Sequence, residues 1–303
     1  MQDFVHLHVH SQYSILDGQA SIQKLVDKAI DDGMRGIAIT DHGNMFGIKE
    51  FWNYVKKKNG ARRDKVKQTS AAVAEFQAVV DAGEASEEQR TELARLKAEY
   101  DALPKEDFKA IIGCEGYVAR RGLQYKEGKQ DQSGWHLILL AKNKTGYKNL
   151  IKIVSKAWTD GFYMRPRTDH AELEKYHEGL ICCSACLGGE IPKKITAGDL
   201  AAAEEAVRWH KSLFGEDYYL ELQLHKATVE RANHEAYPMQ LEVNRHLIDM
   251  SQRLGVKLIC TNDVHFVDEK HAEAHDRLIC LSTSKDLDDP KRMLYSKQER
   301  MKT

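Results

Sequence analysis

The sequence predicts an α/β protein in which seven strands alternate with helices, one strand short of the eightfold barrel. Two observations predict it. β-rich runs recur at residues 4–10, 36–40, 110–118, 135–141, 179–185, 217–224 and 257–262, most of them separated by helical stretches. Acid and histidine residues collect at the downstream ends of these runs, the end at which parallel β/α barrels gather their chemistry.

Phe4-Val5-His6-Leu7-His8-Val9-His10 alternates, so an extended strand would place His6, His8 and His10 on one face and Val5, Leu7 and Val9 on the other. Adjacent protonated imidazoles repel, and a divalent cation would hold them neutral. A loop ending in Asp17-Gly18 follows. Ser21 then caps a helix whose apolar positions Ile22, Leu25, Val26, Ala29 and Ile30 keep the 3.6 period, and Gly33 closes it. The run from Gly36 to Thr40 completes a βαβ unit, which favours parallel pairing, and leads into Asp41-His42.

Residues 45–58 read as a helix stopped at Asn59-Gly60. From 61 to 108 the chain is rich in Ala, Glu, Lys, Gln and Arg, with helices expected near 64–81 and 87–103 and a capping box at Ser86-Glu-Glu-Gln89. This block reads as an inserted, solvated helical hairpin within a domain spanning 1–285. Glu115 stands alone in the apolar run 110–118, and a carboxylate buried there requires a cation or a strong donor. After the strand from Trp135 to Ala141 come a helix near 146–158, a strand from Gly179 that runs through Cys186 into Gly188-Gly189, and a helix capped by Asp199 and ended by Gly215. Residues 228–254 are largely helical with an interruption at Pro238, the last strand ends in Asp263-Val-His265, and Asp268 starts a helix to about Ser284.

At 303 residues and 42% hydrophobic, the chain suits one large α/β domain or two small ones. Its net charge of −1 excludes a generally basic nucleic-acid coat, so any DNA contact must come from local patches. No apolar run approaches the roughly 20 residues of a membrane span, and Met1-Gln2-Asp3 leads straight into a strand, so a cytoplasmic location without a membrane partner is expected. The six cysteines are expected to be thiols; Cys183-Ser-Ala-Cys186 has C-x-x-C spacing but lacks the second pair of a zinc ribbon.

His8, His10, Asp17, His42, Glu115, Cys186, Asp263 and His265 all fall at or just beyond strand ends, and a closed sheet would bring them to one mouth. The set is too large for one ion and fits two or three divalent ions, with donor types suiting Zn, Mn or Fe better than Mg alone. Clustered ions of this kind serve phosphoester hydrolysis. Asp263 and Glu115 are then bridging candidates, and His42 and His265 are candidates to position or protonate the phosphate. Arg120, Arg165 and Arg167 are candidates to grip DNA phosphates, though each also reads as a surface charge. His271 and His275, four apart on a helix, are expected to be packed or solvated because a third ligand is missing. Asp286, Asp288 and Asp289 read as a turn before Pro290.

The motifs His8-Val-His10-Ser11, Asp17-Gly18, Thr40-Asp41-His42-Gly43-Asn44, Gly113-Cys-Glu115, Trp135-His136-Leu, Cys186-Leu-Gly-Gly-Glu190 and Thr261-Asn-Asp263-Val-His265 resemble the polymerase-and-histidinol-phosphatase (PHP) domain. The version most similar is the one at the front of bacterial replicative DNA polymerase III alpha subunits, over nearly the whole chain except 61–108. The resemblance implies a distorted seven-stranded β/α barrel and a metal cluster held by His8, His10, Asp17, His42, Glu115, His136, Cys186, Asp263 and His265. His136 enters only on the resemblance, since it starts its strand and a regular barrel would put it on the opposite rim. In active members the domain is a metal-dependent 3′-to-5′ exonuclease acting on the primer end of DNA. His6 stands where many small-molecule members have Asp, which weakens a phosphatase reading. The implied partners are DNA, the rest of a polymerase chain reached through 286–303, and other replisome subunits. The competing reading is a metal-stabilised docking module for the polymerase and a separate proofreading subunit.

Overall fold

The computed structural model describes residues 4–302. They form two compact units: one made of the residues up to Lys49 together with those from Ala110 onward, the other of Glu50–Lys109. In chain order the elements are α1 (Ile22–Asp31), β1 (Gly36–Ile39), α2 (Ile48–Asp81), α3 (Glu87–Ala102), β2 (Lys109–Val118), α4 (Gly128–Asp131), β3 (Trp135–Ala141), α5 (Lys144–Thr159), β4 (Arg167–Thr168), α6 (His170–Tyr176), β5 (Leu180–Cys183), α7 (Glu190–Thr196), α8 (Leu200–Phe214), β6 (Tyr218–Leu222), α9 (Ala236–Leu254), β7 (Lys257–Cys260) and α10 (Ala272–Thr283).

In the larger unit the strands form a curled mixed sheet in the order β1-β2-β3-β5-β6-β7, with β4 pairing beside β2. The fold is a distorted β/α barrel. β5, β6 and β7 are mutually parallel, whereas β3 runs antiparallel to both β2 and β5. That reversal corrects the parallel pairing expected throughout. It also carries Trp135 and His136, at the start of β3, to the level of Val118 and Tyr117 at the end of β2.

Residues 4–10 are extended but are not a regular strand. Ala38 N–H donates to His6 O (2.9 Å) and Thr40 N–H to Val9 O (2.8 Å) on one side; His10 N–H donates to Val264 O (2.7 Å) and Val264 N–H to His8 O (3.0 Å) on the other. The segment therefore closes the sheet between β1 and the residues beyond β7. The Val9 amide is taken by the Thr40 hydroxyl at 2.8 Å, which interrupts the ladder. The single imidazole face expected for this run divides accordingly: His6 Nε2 turns to the backbone of Lys302, at 2.9 Å from its carbonyl, while His8 and His10 turn to the mouth. β4, only two residues long, is too short to leave a periodic signal.

Alternation along β3 explains the two apolar layers. Ile138 and Leu140 face the barrel interior with Ala38, Cys183 and Ala185. Leu137 and Leu139 face outward into the larger core with Leu150 and Ile153 of α5, Ile191 of α7, Val207 of α8 and Leu247 of α9. Each such side chain contributes roughly 1.5–3 kcal/mol on full burial. The small interior plug leaves the mouth free for polar groups. Residues 292–302 return to the barrel: Asn262 Nδ2 donates to Gln298 O (2.7 Å) and Arg300 O (2.6 Å), and His265 N–H donates to Glu299 O (2.8 Å).

In the smaller unit the helix break expected at Asn59-Gly60 is absent, and α2 runs through both residues. Nothing lies within 4 Å of a Cβ built on Gly60, and a lone helical glycine costs only about 1 kcal/mol. Asn59 uses its side chain as a clamp, donating to Phe108 O and accepting from Phe108 N, each at 2.9 Å. The capping box at Ser86 and Gln89 is present at the start of α3. Pro238 starts a helix rather than interrupting one, because it lies in the first turn of α9, where a missing N–H costs little.

Candidate metal centre

Glu115 is the hub of the mouth. It is 1% exposed on β2. His8 Nε2 lies 3.4 Å from its Oε1, His10 Nε2 3.8 Å from its Oε2, and His136 Nδ1 2.9 Å from Oε1. His42 Nδ1 also contacts Oε2, and Cys186 Sγ stands 4.0 Å from Oε1. The carboxylate expected to need a cation thus has four imidazoles and a thiol around it. His136 reaches the group because β3 is reversed.

Asp263 Oδ1 approaches His8 Nε2 at 3.0 Å and His10 Nε2 at 3.2 Å. Its backbone φ of +46° lies in the left-handed region, a strained conformation that turns the chain just beyond β7. Asp17 and His265 complete the far side: His42 Nε2 is 2.9 Å and His265 Nε2 3.7 Å from Asp17 Oδ2. Gly18 is required beside Asp17, since a Cβ there would sit 2.0 Å from Ser11 O. A cavity of about 490 Å³ opens over these residues.

The donor set fits divalent cations. His8 Nε2, His10 Nε2, His42 Nδ1, Glu115 Oε2 and Asp263 Oδ1 are buried, and none makes a hydrogen bond of normal geometry among the described residues. Leaving such atoms unpartnered is costly. Donor atoms of His8, His10 and Glu115 lie within 4.8 Å of one another, as do those of Glu115, His136 and Cys186, and those of His10, His42 and His265. Three overlapping triads share His10 and Glu115.

Electrostatics of the free chain fit the same picture. Burial, together with the positive potential of His42 and His265, pushes His10 down to about 3, so its ring is neutral. Burial also opposes charge on His265, but Asp17 beside it prevails and raises it to about 9. Burial likewise disfavours charged His8 and His42, yet Asp263 and Glu221 raise the first and Glu115 the second. Asp263 is held far below the usual carboxylate range by His8 and His10 despite burial, and burial lifts the Cys186 thiol well above its ordinary value.

Of the arginines, Arg165 lines the cavity. Arg167 does not reach it: it is 0% exposed and donates to Gly161 O at 3.0 Å and Leu123 O at 3.4 Å, so the expectation that it grips phosphate is corrected. Arg120 is also away from the cavity lining and donates to Gln130 O at 2.8 Å. His271 caps the turn before α10 by accepting from Asp268 N, while His275 is buried with Nε2 3.8 Å from Asp17 Oδ1. The Gly188-Gly189 turn is spent on Cys186: Gly188 N–H donates to Sγ at 3.4 Å and Gly189 N–H to the Cys186 carbonyl at 2.9 Å. All six cysteines are free thiols.

A model of the PHP domain matches residues 6–225. The chain belongs to the PHP domain family. Among curated proteins, this PHP chain is 39% identical over 299 residues to DNA polymerase III subunit alpha of Borreliella burgdorferi, covering 98% of the chain and 21% of that protein. It is 37% identical to the Treponema pallidum subunit (98% and 20% covered) and 34% identical to the Aquifex aeolicus subunit (94% and 20%). The chain spans about a fifth of the length of these relatives. A solved structure from Bifidobacterium adolescentis, described provisionally as a metal-dependent phosphoesterase, aligns over 88% of each chain with TM-score 0.39 and 13% identity, too distant to bear on function.

The groups that orient the PHP donors carry no motif in the sequence. Glu221 Oε1 accepts from His8 Nδ1 at 2.6 Å and is itself held by Gln223 and Thr261. His10 Nδ1 donates to Ser14 Oγ at 2.9 Å, and Ser14 donates to Asp41 Oδ1 at 2.8 Å. Tyr295 donates to Asp17 Oδ1 at 3.0 Å. In each histidine pair the Nδ1 contact turns Nε2 toward the mouth, the arrangement typical of ligands behind a metal. Glu221 reads as an ordinary inward strand residue, and only its position in strand register with the mouth could have marked it. Glu221→Gln should weaken Zn2+ or Mn2+ binding about 10- to 100-fold in a calorimetric titration, an effect of the size seen for such outer partners; unchanged affinity would show that Glu221 orients nothing.

Proposed function

We propose that this PHP domain is a metal-dependent phosphodiesterase that removes nucleotides from the 3′ end of DNA as the front module of a replicative polymerase subunit. The observation that carries the reading is the group of buried imidazole and carboxylate atoms left without hydrogen bonds around one cavity. His8, His10, Glu115 and Asp263 would hold one divalent ion, Glu115, His136 and Cys186 a second, and Asp17, His42 and His265 a third, with Zn or Mn, or Fe, as the metal. Bound ions would supply an acidified water and neutralise phosphate oxygens.

The chain's own groups do the rest. Glu221 and Ser14 fix the tautomers of His8 and His10. Asp263 and Glu115 supply the negative charge shared between neighbouring donors. His42 and His265, both paired with Asp17, would hold the third ion when it is bound, and without it are placed to hold or give a proton at a phosphate oxygen. Arg165 at the rim offers a bidentate partner to the next phosphate of the strand. DNA, the remainder of the polymerase chain and further replisome subunits are the proposed partners, in the cytoplasm. No helix of the described residues is long and apolar enough to cross a membrane.

Incubated with Mn2+ or Zn2+, the chain should shorten a primer bearing a 3′ mismatch, and Asp263→Asn should abolish the reaction. Asn tolerates a left-handed φ, so this variant removes charge without adding backbone strain. Equal activity in both proteins would trace the nuclease to a contaminant. A second reading, a docking module that uses metal only for stability, is favoured by one feature: the cluster ties His8 and His10 of the closing segment to Asp263 beyond β7.

A further inference from the structure

A second constellation lies on the outside of the barrel, where α6, α7 and α8 meet. His170 opens α6, Glu190 opens α7, and His210 sits near the end of α8. His170 Nε2, Glu190 Oε2 and a ring nitrogen of His210 lie within 4.8 Å of one another. Glu190 is 5% and His210 1% exposed. His210 Nε2 is buried without a hydrogen bond among the described residues, and His170 Nε2 and Glu190 Oε2, also buried, face each other at 3.3 Å without hydrogen-bond geometry.

We infer that these three residues form a peripheral divalent-metal site of zinc type, separate from the mouth. Several features of the surroundings argue for it. His210 Nδ1 donates to Ala206 O at 2.9 Å, which leaves Nε2 as the lone-pair nitrogen, and burial disfavours the charged ring. Stacking on Tyr218, with ring centroids 5.1 Å apart, fixes the ring plane, as the Trp209 ring at 4.1 Å does for His170. Lys194 Nζ occupies the other carboxylate oxygen, Oε1, at 3.1 Å, so Glu190 is ionised and Oε2 remains available. Two imidazoles and one carboxylate are a zinc donor set that leaves a fourth position for water. An ion there would pin three helices to one another on the outer layer of the barrel.

Crystals of the chain grown with Zn2+ and measured at the zinc edge should show an anomalous peak roughly 2.0–2.2 Å from the three donor atoms. By mass spectrometry, His170→Ala and His210→Gln should each lose one equivalent of zinc per chain while keeping the primer-shortening activity. The ring of His170 is partly exposed, so its variant is expected to fold even where the His210 variant does not. A water peak alone at this position, or an unchanged zinc content in His170→Ala, would overturn the inference. Glu115→Gln, which removes the anion shared by two of the three proposed mouth positions, should leave the peripheral equivalent in place, so the two sites are read separately.

Discussion

Glu115→Gln is expected to reduce metal-dependent hydrolysis at least about a thousandfold, equivalent to about 4 kcal/mol of transition-state stabilisation. The size follows from position. Glu115 lies in two of the three donor triads at the mouth, and four imidazoles and the Cys186 thiol approach it. An amide offers one weakly basic oxygen in place of a charged pair, so two proposed metal positions lose their shared anion together. The primer assay reads the rate, and metal analysis reads the occupancy. A variant that keeps wild-type rate with full metal content would remove Glu115 from the chemistry. Loss of metal in the variant, with no nuclease activity in the wild-type chain either, would favour the docking module.

Chelation is expected to lower the melting temperature by about 5 °C or more. Ligand present at a hundred times its Kd stabilises the folded chain by about 2.7 kcal/mol, and each kcal/mol corresponds to roughly 1.5–2 °C in a chain of 303 residues, so one ion accounts for about 4–5 °C and a further ion adds to it. The difference between loaded and chelated protein should also widen from pH 6 to pH 9. His265, raised to about 9 in the free chain, contributes stability that is present below its unfolded value near 6.5 and is lost as pH rises through about 9. Metal must displace protons held by His265, His8 and His42, so its binding strengthens over the same interval. The two statements describe one linkage, since the protons that stabilise the metal-free chain are those the metal displaces. Asp17, Glu115 and Asp263 are held well below the ordinary carboxylate range and titrate outside this window. A pH-independent difference, or none, would show that metal does not replace protons at these rings.

Much of this architecture was legible in the linear order of residues. The capped helix after Ser21, the capping box at Ser86, the helix from Asp199 to Gly215 and six of the strands follow from local rules, in which a side chain answers to neighbours a few positions away. The convergence of His8, His10, His42, Glu115, Asp263 and His265 was legible as well, because donors at strand ends meet wherever strands close side by side. The antiparallel course of β3 was not, since strand direction depends on which edges are free when the sheet assembles. That direction alone brought His136 to the mouth.

Residue identity and short-range periodicity were enough to set the kinds of donor atom, their attachment to strand ends and the family motifs. Tertiary structure alone decided the pairing of His8 with Glu221 and of His10 with Ser14 and Asp41, the burial of Arg167 beneath the surface, and the return of residues 292–302 to the barrel. Those contacts join segments that are mostly far apart in the chain. They exist because buried polar atoms must find partners in the space where closure of the sheet leaves them.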